Sequence, residues 1–246
     1  MIQFFHTLLY QPIFNVLVLL YQYIPGHDLA IAIIVLTFII KIVLYPLSAK
    51  ALKSQKAMQE LQPKLEELKV KYKNQKEVQA QKMMEFYKEE KVNPAASCLP
   101  LLIQFPILLA VFQVFNNGLR NQDGLLDDLY GFVANPGHLE TVSRIFGDMA
   151  VPSVVLAVLA GAAQFWQAKM IQVKKPPKEA GVGARDESMA AAMNKQILYM
   201  MPVLTVIFGL QFPGGLSLYW LTTTLLTIGQ QVITLKKKEN TAESTA

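Results

Sequence analysis

Charge is what this sequence has least of: 17% of its 246 residues are Asp, Glu, Lys or Arg, against 52% hydrophobic. A soluble domain of this length normally carries about 25% charged residues, most of them on its surface. The single cysteine, Cys98, excludes an internal disulfide and a cysteine-based zinc site. At the head of an apolar run it reads as a small buried residue. Histidines are scarce as well: His6, His27 and His138 fall on N-terminal or outer segments, without the carboxylate or cysteine spacing that metal binding or catalysis needs. No phosphate-loop glycine motif occurs, and no internal repeat stands out. Residues 1–24 hold no Lys or Arg, so the basic start of a secretory signal peptide is missing. These absences argue against an enzyme and against a metal or cofactor.

What is there is segregated. Lys41 is the one charged residue between Leu29 and Leu47, and none lies between Val92 and Leu119, Met149 and Ala168, or Gln196 and Leu235. An apolar stretch of roughly 20 residues spans about 30 Å of hydrocarbon as a helix. Segments 29–48, 97–119, 149–170, 196–212 and 215–235 meet that test. The fold class is therefore an all-α integral membrane protein with a core of five transmembrane helices.

The connections between spans alternate in sign. Linker 50–91 holds eleven Lys against seven acids, linker 120–148 two Arg against five acids, and linker 169–195 six basic residues against three acids. The tail opens with Lys236, Lys237 and Lys238. By the positive-inside rule the first core helix runs from outside to inside and the C-terminus is cytoplasmic. Phe212–Leu216 (FPGGL) is a tight outer turn. Residues 1–27 read as an N-terminal amphipathic helix on the outer surface, because Gln11-Pro12, Asn15 and Gln22 interrupt the apolar run and Tyr10, Tyr21 and Tyr23 suit the headgroup boundary. A sixth span is the alternative.

Within the core (28–235), residues 50–91 form a cytoplasmic helical hairpin. Met58, Leu61, Leu65, Leu68 and Tyr72 recur at alternating three and four, Lys73-Asn74-Gln75 makes the turn, and Val78, Met83, Met84 and Tyr87 face back. Pro63 suits a helix start or kink better than a helix interior. Residues 171–194 read as a cytoplasmic loop, and 236–246 as a short basic tail.

Lys41 is the most expensive residue in the spans, at about 2.5–3.5 kcal/mol near the bilayer centre on insertion scales. About six residues separate it from the cytoplasmic end, so snorkelling competes with function as its explanation. Thr37 lies one turn earlier on the same face. Gln104, Gln113, Gln164, Gln167, Gln230 and Gln231 add uncharged polar groups that also serve as interhelical glue. With no acidic partner in any span, Lys41 fits a wet cavity that would attract acidic groups. Pro100, Pro106 and Pro202 imply kinks that leave room for one. Composition and spacing alone favour a small transporter or channel over a membrane chaperone.

Lys91-Val-Asn-Pro94 and the following Ser97-Cys-Leu-Pro-Leu-Leu-Ile-Gln-Phe-Pro-Ile107 resemble the hallmark of YidC-type insertases, the bacterial relatives of the mitochondrial Oxa and chloroplast Albino proteins. Tyr45-Pro46-Leu47, Leu61-Gln-Pro63 and Phe212–Trp220 extend the resemblance across residues 28–235. It implies a hydrophilic groove open to cytoplasm and lipid and closed outside. A basic residue of the first core helix, usually Arg and here Lys41, faces that groove, with Thr37, Gln104, Gln164 and Trp220 at matching positions. Arg and Lys differ in geometry, so charge attraction carries over more securely than a bidentate grip. The implied partners are nascent membrane proteins, membrane lipids, and the Sec translocon and ribosome, with no nucleic-acid specificity. The implied location is the bacterial plasma membrane. The large outer domain of many Gram-negative members and a lipoprotein cysteine are missing, and the basic tail is short.

Overall fold

The computed structural model describes residues 2–93, 99–120, 128–171 and 196–243, and in these the chain is mostly helical, with one short β-hairpin inside the irregular segment 128–153. An N-terminal helix runs through α1 (Ile2–Phe5), a π-helical turn (His6–Tyr10) and α2 (Gln11–Tyr23). Then come α3 (Leu29–Lys71), α4 (Lys76–Glu89) and α5 (Leu99–Arg120). The hairpin pairs β1 (Val142–Ser143) with β2 (Gly147–Asp148) and leads to α6 (Val154–Ile171). A second π-helical turn (Gln196–Met200) opens α7 (Met201–Gly209), and α8 (Gly214–Glu243) closes the chain. Residues 171–194, read above as a loop, lie almost entirely outside the described part, as do Pro94, Ser97 and Cys98.

Helix α3 starts sharply because the Asp28 carboxylate accepts from the Ala30 and Ile31 amides at 2.9 and 3.3 Å. It does not stop at residue 48. The 29–48 segment and the first arm of the hairpin are one 43-residue helix, about 64 Å long. Pro63, expected at a start or kink, lies inside it. Its side chain is exposed, so water can satisfy the carbonyl that a proline leaves unpaired. After the turn at Lys73–Gln75, α4 returns along α3: Gln79 donates to the Lys69 carbonyl at 2.9 Å, and Lys64 meets Glu90 at 3.0 Å. Leu61 and Leu65 are buried in the seam, and burial lifts the Tyr87 phenol above its usual pKa. Met84, expected to face back, is exposed, and Phe86 lies under the Lys64 ammonium instead.

Packing divides the bundle by depth. Toward the outer end, Leu29, Ala30, Ala32, Ile33 and Leu36 of α3 are almost wholly buried against Phe14, Leu17 and Val18 of α2 and Val111, Val114 and Phe115 of α5. Below Thr37 the same helix exposes Phe38, Ile39, Ile42, Val43, Tyr45 and Leu47. Helix α3 is thus packed tightly against α2 and α5 up to Thr37 and more loosely beyond it.

Beside the tightly packed part of α3 lies the 128–151 connection. Ser143 donates to the second Asp28 oxygen at 2.9 Å, so one carboxylate both caps α3 and holds the β-hairpin. The connection also runs along the N-terminal helix. His6 contacts Asp128 at 3.3 Å, Gln11 and Asn15 donate to the Asp128 carbonyl, Asn15 accepts from the Tyr130 amide, Glu140 donates its amide to the Tyr21 hydroxyl, and Gln22 donates to the Ala134 carbonyl. Helix α6 starts at Val154 rather than 149, since Ser153 caps it and Gly214 and Gly215 donate to the carbonyls of Val151 and Met149. The FPGGL turn needs glycine there: a Cβ at position 214 would sit 3.0 Å from the Val151 carbonyl oxygen.

Helices α6 and α7 approach through small residues, as helices in lipid do. A Cβ on Gly209 would lie 2.7 Å from the Ala157 Cβ and 3.1 Å from its Cα, whereas one on Gly229 would meet nothing within 4 Å. Gly209→Ala should therefore destabilise the protein in detergent by about 1–3 kcal/mol through overpacking. Gly229→Ala should be neutral or raise stability by up to about 1 kcal/mol through helix propensity. Thermal unfolding of the two variants side by side checks both; equal melting temperatures would contradict the close α6–α7 contact.

Candidate functional site

A row of polar contacts centred on one face of α8 runs from the packed core at Tyr219 into the region where α3 is more exposed. Tyr219, Thr223, Thr227 and Gln230 follow each other at spacings of four, four and three, which stacks them on one side of a helix. Facing them are Gln104 of α5 and Lys41 and Ser48 of α3. Gln104 Nε2 donates to the Tyr219 hydroxyl at 2.8 Å. Lys41 Nζ donates to Thr227 Oγ1 at 2.8 Å. The Ser48 hydroxyl and the Gln230 side-chain amide lie within hydrogen-bond reach at 3.0 Å.

The Lys41 contact matters most energetically. A hydrogen bond to a charged group contributes about 1.5–3 kcal/mol, comparable with the insertion penalty of about 2.5–3.5 kcal/mol for a lysine near mid-membrane. A neutral hydroxyl thus offsets much of the penalty without cancelling the charge. The ammonium keeps its field and two further N–H groups, neither partnered among the described residues.

The residues singled out in the sequence divide into two places. Lys41 and Gln104 both reach the polar face of α8. Thr37, one turn before Lys41, is fully buried and returns its hydroxyl to the Ile33 carbonyl at 2.6 Å, so it belongs to the tightly packed part of α3 and not to the looser one. Gln164 lies between α6 and α7, where its side-chain oxygen accepts from the Thr205 hydroxyl. Trp220, the neighbour of Tyr219, points round α8 to the α6–α7 side and lines a small cavity with Ala160, Thr205, Phe208 and Ser217. No described hydrogen bond joins Gln164 or Trp220 to the Lys41 row. Thr223, Thr227, Ser48 and Tyr219 were missed from sequence, although the 4-4-3 spacing of polar residues in an apolar helix was a readable signal. The described residues contain no group of three or more His, Cys, Asp or Glu that could hold a metal ion.

Helix α5 touches α3 and α8 only sparingly. It also turns Leu102, Phe105 and Leu109 outward. At this depth the Gln104–Tyr219 bond joins α5 to α8, beside Ile103 and Ile107, which pack into the core. The arrangement sets a positive charge beside hydroxyl and amide groups, which can attract an acidic group.

A family model described as 60Kd inner membrane protein matches residues 19–241. Over 210 residues the chain is 38% identical to the membrane protein insertase YidC of Fusobacterium nucleatum, covering 85% of this chain and 87% of that protein. It is 34% identical over 216 residues to the namesake in Clostridium tetani, covering 87% of this chain and 85% of that one. With the longer relative of Streptomyces avermitilis the identity is 32% over 228 residues, and the chain spans 52% of that protein's length.

Tyr219→Phe should lower stability in detergent by about 1 kcal/mol, since it leaves the Gln104 amide without its acceptor. Combining it with Gln104→Leu should recover most of the loss, because replacing both partners removes the unsatisfied group. A double-mutant cycle on thermal unfolding reads the coupling, and strict additivity would place the two residues out of contact.

Proposed function

The chain belongs to the 60Kd inner membrane protein family, whose members include membrane protein insertases, and we propose that it inserts and helps fold membrane proteins at the polar seam between α3, α5 and α8. The observation that carries this reading is Lys41: one ammonium, seated on a hydroxyl, in the open half of a bundle whose outer half is packed shut. A channel needs polar lining on both sides of such a charge. Leu29, Ile33 and Leu36 supply an apolar plug on the outer side.

The mechanism needs no covalent step, metal or nucleotide. The half-open seam shortens the hydrocarbon path that a substrate's polar outer tail must cross. Lys41 attracts acidic side chains on that tail. The substrate's apolar helix then moves past loosely packed α5 into lipid, where burial at roughly 25 cal/mol per Å² of apolar surface drives release. Gln104 lines the path about two turns of α8 away from Lys41. Gln164 and Trp220 contribute from the α6–α7 side, where Trp220 offers an aromatic surface to the passing helix.

The proposed topology has five core spans in a bacterial plasma membrane, formed by the apolar parts of α3, α5, α6, α7 with its preceding turn, and α8, with the C-terminus cytoplasmic. The α3–α4 hairpin then stands in the cytoplasm, where its exposed lysines could meet the ribosome or the Sec translocon. The N-terminal helix lies on the outer surface, although Gln3–Tyr23 is long and apolar enough to cross a membrane. What supports the flat orientation is its contact with the 128–140 segment all the way from His6 to Gln22, a distance of about 24 Å along the helix. An upright helix would drag that irregular backbone through the hydrocarbon, where its open N–H and C=O groups have no partners.

Lys41→Arg should support growth of cells depleted of their own insertase, while Lys41→Ala should fail on single-span substrates with acidic outer tails and succeed on neutral ones. Normal insertion of every substrate by Lys41→Ala would reduce the lysine to a snorkelling residue. In a Cys98→Ala background, Lys41→Cys should react with small charged thiol reagents from the cytoplasmic side and not from outside; labelling from both sides would indicate a pore. Gln3→Cys should react from outside, and exclusive labelling from the cytoplasm would establish a sixth span.

A further inference from the structure

Thr227 carries a constraint that the insertase reading does not use. Its hydroxyl proton is committed to the carbonyl oxygen of Thr223, one turn earlier, at 2.7 Å. The oxygen is therefore left as an acceptor, and Lys41 Nζ occupies it at 2.8 Å. A hydroxyl fixed in this way can seat a cation but cannot donate to an arriving carboxylate. Lys41 lies twelve residues from the start of α3 and Thr227 thirteen from the start of α8, so both sit about 18–20 Å along their helices from the outer end. The bond joins groups at one depth. It also opposes the natural tendency of a lysine stem to carry its ammonium toward the nearer, cytoplasmic water.

We propose that Thr227 is the positioning residue for the insertion charge: it holds the Lys41 ammonium at mid-bundle depth, with its remaining N–H groups free for an acidic side chain of the passing substrate. Ser48 and Gln230, one to two turns nearer the cytoplasm, engage each other. Thr223 keeps the stripe polar on the outer side of Thr227, and its hydroxyl oxygen has no partner. The inference deepens the proposed insertase function and depends on it. Without the Thr227 acceptor the charge remains but no longer waits where the tail must be met, so the defect is confined to substrates that use the charge.

The test compares Thr227→Val, close in shape but without the hydroxyl, with Thr227→Ser, which restores it. Each is expressed in insertase-depleted cells with two single-span substrates that differ only in whether the outer tail carries two Asp or two Asn residues. Thr227→Val should lower insertion of the Asp substrate at least about ten-fold, the worth of a hydrogen bond to a charged group at about 1.5 kcal/mol. Insertion of the Asn substrate, which doubles as the folding control, should stay at the wild-type level, and Thr227→Ser should return the Asp substrate to that level. An equal loss on both substrates, no loss on either, or no rescue by Ser overturns the positioning role while wild-type activity keeps the insertase reading intact. Failure of the wild-type chain to insert either substrate overturns both.

Discussion

A protonated amine inside an apolar bundle must find an acceptor or drag water in, and the arrangement of α3, α5 and α8 answers that requirement. The Lys41–Thr227 bond fixes the register between two long helices at the depth where neither has apolar packing to spare. Ser48 with Gln230 repeats the device further along both helices, and Gln104 with Tyr219 extends it to α5. Polar contacts do in the inner half what Leu, Ile and Phe do in the outer half. The difference is that hydrogen bonds can be exchanged for others when a polar substrate arrives, whereas a closed apolar core cannot be opened without exposing surface.

The outer closure has its own organiser. Asp28 joins the start of α3 to the β-hairpin, and Asn15 and Gln11 fasten the connection to the N-terminal helix. These bonds give the irregular backbone between residues 128 and 151 partners on protein. Helices α6 and α7 form a second close-packed unit through Gly161 and Gly209, next to the start of α8.

Much of this was legible in the sequence. Charge-free stretches marked the long helices, the seam from Met58 to Tyr72 marked the hairpin, and Lys41 stood out as an unpaired charge in an apolar run. Depth was harder to read. Thr37 and Lys41 share a helix face, yet the boundary between the packed and open halves falls between them, and that boundary is set by α2 and α5 rather than by α3 itself. Gln164 and Trp220 sit on the far side of α8 from the lysine, an assignment that depends on which helices pack together. Pro63 misled because proline is usually disruptive inside a helix; on an exposed face in water its missing hydrogen bond is tolerated. The β-hairpin carried no strand signal, being two residues on each side and held by Asp28.

Because α3 is continuous from Leu29 to Lys71, the lysine in the bundle and the tip of the arm outside it are two ends of one helix, with a proline between them. Lys71 stands about 37 Å of helix beyond Pro46, a residue that weakens the backbone ladder near where the rod leaves the bundle. A tilt of about 10° at that proline swings the tip sideways by roughly 6 Å, by the lever length alone. The reverse also holds: a load on the tip arrives at Pro46 as a torque, one turn and a fraction from Lys41. The arm is therefore a lever whose short end carries the charge, and any body that leans on the hairpin leans on the Lys41–Thr227 contact.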